Sequence, residues 1–270
     1  MKGFYVYCIR PKLAKALPVK THGVEFAKSI TVFPFKDLEA IVGELDPSKF
    51  DAEMIKNKLL DDPKWAEENI RCHHEVVSRA FQTSVVVPMK FGTMYKNKKS
   101  LDEMLAKYYR KFTSVIPMLK DKKEWGVKAH LDHKKFIEGL KKKSKEIQKL
   151  EKGRTSAPEG MRWYAERKID EIVADESEKE IEKELQYLVE KLEKHVEKVQ
   201  LNEAFSKNTQ ELGREMIMNA ACLVKNDALQ GLRDLFRKLA KGEAQKGVVL
   251  ELTGPWPPYN FVEIKNNDKK

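Results

Sequence analysis

A chain of 270 residues, 41% of them hydrophobic, can build one large domain or two smaller ones, and we expect two. Charged residues make up 35% of the chain, which indicates long solvated helices. The apolar stretches are too short for a membrane span, no secretory signal begins the chain, and three widely spaced cysteines argue against a disulfide framework. We therefore expect a soluble cytoplasmic protein with no membrane partner.

The first part of the chain predicts an α/β domain over residues 1–120. Pro34 cannot donate a hydrogen bond to a central ladder, so its strand is expected at a sheet edge or as a loop. Asp62 can cap the helix that begins at Pro63. The expected strands are Phe4–Ile9, Ile30–Phe35, Leu38–Leu45 and Ser84–Met89. The expected helices are Asp51–Leu60, Pro63–Phe81 and Leu101–Leu119.

The rest of the chain predicts a second α/β domain over residues 121–262, followed by a disordered tail at 263–270. Its elements follow the order strand, helices, strand, strand, helix, strand, which is the order of a ferredoxin-like unit. The expected fold class is therefore α+β. The expected strands are Glu124–Leu131, Val199–Phe205, Arg214–Val224 and one beginning at Val248, with a helix at Asp227–Leu239.

A long antiparallel helical hairpin, at about residues 134–198, is predicted as an insertion in this second domain. Lys134–Arg154 carries nine basic and three acidic residues, whereas Arg162–Lys198 carries eight basic and twelve acidic ones. Apolar residues at close to heptad spacing in both arms indicate a coiled-coil-like seam. The segment GRTSAPEG, Gly153–Gly160, is the expected turn between the arms.

Motifs for catalysis or cofactor binding are not recognisable, so we expect neither an enzyme nor a cofactor. GEAQKG, at Gly242–Gly247, begins like a phosphate loop but is followed by two valines and a strand. In Cys72-His73-His74, consecutive helical side chains point about 100° apart, so a buried structural site is favoured over a metal site. Cys8 and Cys222 are expected in the core.

The basic run KKKSK, Lys141–Lys145, raises nucleic-acid binding as the alternative function. The run lacks the interleaved aromatic residues that stack on bases, and it should face the acidic helix of the hairpin. A solvated helix face is therefore the favoured interpretation, and no nucleic acid is expected as a partner.

Two segments combine aromatic residues with turn formers. In VPMKFGTMY, at 87–95, Pro88 ends a strand and Gly92 permits a turn, so a structural corner around Phe91 is favoured over a partner contact. In GPWPPYNF, at 254–261, three prolines stiffen the chain around its aromatic residues. This segment either locks the two domains together, which we favour, or grips a partner protein.

Four stretches, YVYCI, VPMKFGTMY, EWGVK and LTGPWPPYNFV, occur in an order and at separations that resemble the GvpF/GvpL family of gas vesicle accessory proteins. The resemblance covers nearly the whole chain. A departure lies at APEGMRWYAE, residues 157–166, where only Gly160 and Tyr164 loosely match the family pattern.

The resemblance implies two α/β domains, the second with a helical element, and a non-enzymatic role in gas vesicle assembly. The implied partners are the hydrophobic shell protein, whose aggregation the protein would limit while supporting nucleation, and other accessory proteins. The implied location is the gas vesicle or the cytoplasm. The residues expected to bind a partner or lock the domains are Pro88, Phe91, Gly92, Thr93, Trp125, Trp256, Pro257, Tyr259 and Phe261.

Overall fold

A computed structural model describes residues 2–13, 22–48, 52–203 and 214–262. The chain divides into two compact units, the first formed by residues 1–124 with 255–270 and the second by residues 125–254. The first boundary lies four residues after the expected one, and residues 255–262, which were expected in the second domain, group with the first unit. The expected tail at 263–270 lies outside the described residues.

The first unit is built on an antiparallel sheet with the order β2-β3-β1-β4, in which β5 also pairs with β1. Because β1 has neighbours on both sides, its residues from Tyr5 to Ile9 are fully buried. Strand β2 lies at the edge, as Pro34 requires. The strands are β1 (Gly3–Pro11), β2 (Lys28–Phe35), β3 (Leu38–Leu45), β4 (Val87–Pro88) and β5 (Met94–Tyr95).

The described part of the first unit also contains three helices, and capping side chains fix the starts of the second and the third. The Asp62 carboxylate accepts the backbone N–H of Trp65 at 3.0 Å, at the start of the second helix. Asn97 and Ser100 form a capping box at the start of the third. The helices are α1 (Ala52–Asp61), α2 (Pro63–Thr83) and α3 (Lys98–Leu119).

The sheet of the second unit has the order β7-β8-β6-β9, which is that of a ferredoxin-like unit and confirms the expected fold class. Helix α7 (Leu229–Lys246) runs seven residues beyond the expected end at Leu239, because its terminating left-handed residue is Gly247, with φ of 88°. The strands are β6 (Lys122–Leu131), β7 (Lys198–Leu201), β8 (Glu215–Lys225) and β9 (Val248–Trp256).

The helical hairpin is present, with two corrections. Its first arm is not one helix but two, α4 (His133–Lys143) and α5 (Lys145–Ser156), because Ser144 leaves the helix and accepts the backbone N–H of Ile147. The turn is only Ala157 and Pro158, since residues 153–156 remain helical. Helix α6 (Glu159–Glu193) forms the second arm and is about 52 Å long.

Complementary charges meet across the hairpin as its arm composition predicts. Arg154 Nη1 lies 2.9 Å from Glu166 Oε1, and Lys143 Nζ lies 3.9 Å from Glu180 Oε1. These exposed pairs contribute only about 0.2–1 kcal/mol each, so they set the pairing of the arms more than their stability. The apolar side chains that the arms bury include Phe136, Leu140, Ile147, Ile169, Leu188 and Leu192.

Candidate partner-binding site

The segment VPMKFGTMY forms an interrupted edge strand along β1. Strand β4 pairs with Cys8 and Ile9, and β5 pairs with Phe4 and Tyr5. Between them Met89 and Thr93 keep one backbone hydrogen bond each to β1, and the chain turns at Phe91 and Gly92. Gly92 has φ of 82°, which side chains rarely permit, and so allows the turn. The segment is therefore a bulge fastened to β1 at both ends.

The side chains of the bulge are held inward. The Phe91 ring lies 6.1 Å from the Tyr5 ring and 5.8 Å from the His73 ring, measured between centroids, and packs against the core. Thr93 is buried and its hydroxyl donates to the carbonyl of Lys90 at 2.7 Å. Pro88 is buried within β4. These contacts favour a structural corner at Phe91.

His73 of α2 connects the bulge to β1 by two hydrogen bonds. Its Nε2 lies 3.0 Å from the carbonyl oxygen of Met89, which can only accept, so Nε2 carries the proton. Nδ1 therefore accepts from the Tyr5 hydroxyl at 2.7 Å, and that hydroxyl oxygen also accepts the N–H of Gly92 at 3.3 Å. Burial lowers the pKa of His73 to about 4, so the ring is neutral at physiological pH.

The segment GPWPPYNF folds onto the same helix. After β9 the chain forms a short 3-10 helix at Tyr259–Phe261. Glu124 fixes this turn, because its carboxylate accepts the backbone N–H of Asn260 at 2.9 Å and the Asn260 side-chain amide at 2.6 Å. Burial raises the pKa of Glu124 above its ordinary value. Pro257 and Phe261 are buried.

Two aromatic rings of this segment lie against the histidines of α2. The Tyr259 ring is 6.4 Å from the His73 ring and 6.0 Å from the His74 ring, and the Trp256 ring is 5.3 Å from the His74 ring. The Tyr259 hydroxyl is buried and makes no hydrogen bond within the described part of the chain. Burial raises the pKa of Tyr259. Trp256 keeps 39% of its surface exposed.

The structure thus brings Phe91 together with Trp256 and Tyr259, which lie more than 160 residues away in the sequence. We call the group Phe91, His73, His74, Trp256 and Tyr259 the motif cluster. Most of it is packed inside the first unit, and Trp256 is its most exposed aromatic ring.

Trp125, which was grouped with these residues from the sequence, is not part of the motif cluster. It is 5% exposed in the core of the second unit, with the Arg233 guanidinium 5.5 Å from its ring centroid.

Two residues that organise the motif cluster were not recognised as such from the sequence. Glu124 was visible only as the first residue of an expected strand. His73 was expected to be partly buried, and its place one turn before the buried residues Val76 and Val77 is the pattern that identifies it as facing the core.

Two histidines of the second unit, His130 and His133, each lie near one carboxylate. His130 Nε2 lies 3.7 Å from a Glu251 oxygen, and His133 Nε2 lies 2.8 Å from a Glu215 oxygen. Cys8 and Cys222 are buried in strands as expected. The described residues contain no group of three or more possible metal ligands and no helix that is long and apolar enough to cross a membrane.

Comparisons with known proteins agree over the whole chain. A sequence model of the family described as gas vesicle synthesis protein GvpL/GvpF matches residues 3–263. Gas vesicle protein L of Streptomyces sp. (strain CB03234) is 24% identical over 265 residues, covering 98% of this chain and 94% of that protein. Gas vesicle protein F1 of Halobacterium salinarum is 24% identical over 255 residues, covering 92% of this chain and 88% of that protein.

The fold also has a solved counterpart. The crystal structure of the gas vesicle protein GvpF from Anabaena sp. PCC7120 matches with a TM-score of 0.71 and 16% identity, covering 98% of this chain and 97% of that one. This likeness shows a shared fold.

Proposed function

Because this chain belongs to the GvpL/GvpF family of gas vesicle synthesis proteins, we propose that it binds the hydrophobic gas vesicle shell protein, limits its aggregation and supports nucleation of the vesicle. A shell subunit that turns apolar surface toward gas is an aggregation hazard in water until it is assembled. A partner that covers this surface transiently, at the nascent vesicle, removes the hazard. The role is that of an accessory protein, in company with other gas vesicle proteins.

The observation that carries this proposal is the position of Trp256. Its ring is 39% exposed, while the residues that follow it are fixed by the Glu124 carboxylate and by the histidines of α2. An exposed tryptophan on a stiff support loses little conformational entropy on binding and buries a large apolar area. Trp256 is therefore the proposed anchor for the shell protein.

The remaining expected site residues have supporting roles in this proposal. Pro257 and Phe261 are buried in the segment that follows the anchor, and Tyr259 packs against the same core as Phe91 of the bulge. Trp125 stabilises the second unit and takes no part in the contact.

We propose no nucleic-acid binding for the basic residues of α4, the alternative raised by the sequence. Lys141 Nζ and Lys143 Nζ lie 3.9 Å from carboxylate oxygens of Glu151 and Glu180, so their charges are partly matched inside the hairpin.

The test is co-expression of the shell protein with this chain, with its Trp256→Ala variant, or alone. We expect the unaltered chain to raise the soluble fraction of the shell protein and to co-purify with it, and Trp256→Ala to lose most of both effects. Tyr187→Ala is the matched control, because Tyr187 of α6 is 38% exposed and belongs to the second unit. If the unaltered chain does not raise the soluble fraction of the shell protein, the proposed function is wrong. If Trp256→Ala raises it as much as the unaltered chain does, only the assignment of Trp256 as the anchor is wrong.

A further inference from the structure

The end of the helical hairpin carries a groove of about 750 Å³ between α5 and α6. Helix α6 lines it with Met161, Tyr164, Ala165 and Lys168, whose spacing of three, four and seven residues places them on one helix face. Helix α5 lines the other wall, including Leu150 and Gly153. Two helical faces that line one open groove can receive a third helix.

The floor of this groove is apolar and open. Met161 and Tyr164 are each 61% exposed, and Leu150 and Ala165 are only half-buried between them. Large apolar side chains exposed next to one another are typical of interaction surfaces, and tyrosine and methionine are enriched there.

The rim of the groove is mainly basic. Four basic side chains and one acidic one, Glu146, line it. Arg154 shares its charge with Glu166 at 2.9 Å, but the lysines still leave an excess of positive charge around the apolar floor. The basic residues are Lys145, Lys149, Arg154 and Lys168.

We propose that this groove binds an acidic amphipathic helix of a partner protein. The walls present ridges at helical spacing, which a third helix can fill with its own apolar stripe. Helix α5 is about 18 Å long, so the seat accommodates about three turns. Glutamate or aspartate residues on both sides of that stripe would face the lysines of the rim.

A second copy of this chain fits the groove less well. Three acidic side chains of α6 are already engaged inside the hairpin, where Glu166 pairs with Arg154, Glu176 accepts from Ser144 and Glu180 faces Lys143. Two hairpin ends facing each other would also bring two basic rims together, which like-charge repulsion disfavours.

This inference goes beyond the proposed function. It concerns the second unit, a charged ligand and a groove, whereas the shell-protein contact concerns the first unit and a single apolar anchor. An experiment can therefore disprove the groove proposal without affecting the shell-protein proposal, and the reverse also holds.

The test measures binding of synthetic helical peptides to the full-length chain by fluorescence anisotropy. The probe is a labelled peptide of about 18 residues with leucines along one face and glutamates on both flanks. A second peptide has lysines in place of the glutamates, and a third has the first composition in scrambled order. We expect the glutamate peptide to bind at least about tenfold more tightly than either of the others.

Variants of the chain locate the binding. Met161→Ala combined with Tyr164→Ala should weaken the glutamate peptide about tenfold or more. Lys149→Glu combined with Lys168→Glu should shift the preference toward the lysine peptide. Trp163→Ala is the matched control, because Trp163 is also 61% exposed on α6 but packs beside Arg167, 5.2 Å from its ring centroid, and does not line the groove.

Three outcomes overturn the proposal. Equal binding of the glutamate and lysine peptides would show that the basic rim does not select an acidic helix. Equal losses of affinity for the glutamate peptide in Trp163→Ala and in the groove variants would show that the peptide does not bind in the groove. Self-association of the unaltered chain in sedimentation experiments, abolished by the groove variants, would assign the groove to a second copy.

Discussion

Each unit carries a tryptophan and a tyrosine close together, but the two pairs are held in opposite ways. In the motif cluster the Tyr259 ring is packed against two histidines and the turn around it is fixed by Glu124. At the hairpin end, Trp163 and Tyr164 are each 61% exposed, and the nearest ring contact of Trp163 is a guanidinium.

Under the two proposals above, the same residue types serve structure in the motif cluster and recognition at the hairpin end. Buried rings in the motif cluster contribute packing, so changing them should lower the free energy of unfolding. Exposed rings at the hairpin end contribute little to folding, so changing them should alter binding alone. Trp256 shares features of both groups, because its side chain is partly exposed while the segment that carries it is rigidly held.

The largest effect on stability is expected for Phe91→Ala. The ring of Phe91 packs against those of Tyr5, Phe26 and His73, so its removal leaves a cavity beside the bulge. We expect the free energy of unfolding to fall by about 3 kcal/mol in chemical denaturation. An unchanged denaturation midpoint together with lost shell-protein binding would instead make Phe91 a contact residue.

The next largest effect is the pH dependence of stability that His73 causes. The pKa of this ring is about 4 in the folded chain and 6.5 in the unfolded one, so the unfolded chain binds more protons between these values. Its contribution to stability is therefore complete above pH 6.5 and is lost as the pH falls toward 4, by about 3 kcal/mol in total. Burial also lowers the pKa of His74, whereas that of Glu124 is raised and acts in the opposite sense.

A variant isolates the contribution of His73. Glutamine can donate to Met89 and accept from Tyr5 but does not titrate, so His73→Gln should be less stable at pH 7 and lose less stability between pH 7 and 4.5. Denaturation curves at both pH values test this. Parallel losses in the two proteins would show that His73 is not the titrating group.

A smaller effect is expected at the turn fixed by Glu124. Asn260→Ala removes a donor from a buried carboxylate and should cost about 2 kcal/mol. Combining it with Glu124→Ala should add much less than the sum of the single losses. Tyr259→Phe is the control, since the Tyr259 hydroxyl makes no hydrogen bond in the described residues and its removal should not destabilise the chain. Additive losses at 124 and 260 would contradict the pairing.

The smallest effects on stability are expected at the hairpin end. Trp163→Ala and Tyr164→Ala should each change the free energy of unfolding by less than about 0.5 kcal/mol, because both rings are mostly in water. Thermal denaturation measures this directly. A loss comparable to that of Phe91→Ala would mean that the hairpin end is part of a core.

Much of the fold could be predicted because local signals agreed with the tertiary structure. Pro34 placed its strand at an edge, Asp62 fixed the start of α2, and the strand at Leu38–Leu45 was predicted with its exact bounds. The order of elements in the second part of the chain was sufficient for the ferredoxin-like sheet.

The failures occur where a single side chain decides between two local structures. Ser144 was expected inside a continuous helix, but its hydroxyl caps α5 instead. Residues 153–156 were expected in the turn, yet they remain helical and α5 ends only at Ser156, two residues before Pro158. The pairing of Glu124 with Asn260 joins residues 136 apart, and no local pattern indicates such a contact.

Amide hydrogen exchange of the chain, alone and with its shell protein, tests most directly the claim that the first unit binds the shell protein through the anchor at Trp256. The account predicts new protection at the amides of residues 90–93, 256 and 259–261, with exchange in α5 and α6 unchanged. Protection confined to the hairpin, with none around Trp256, would contradict it.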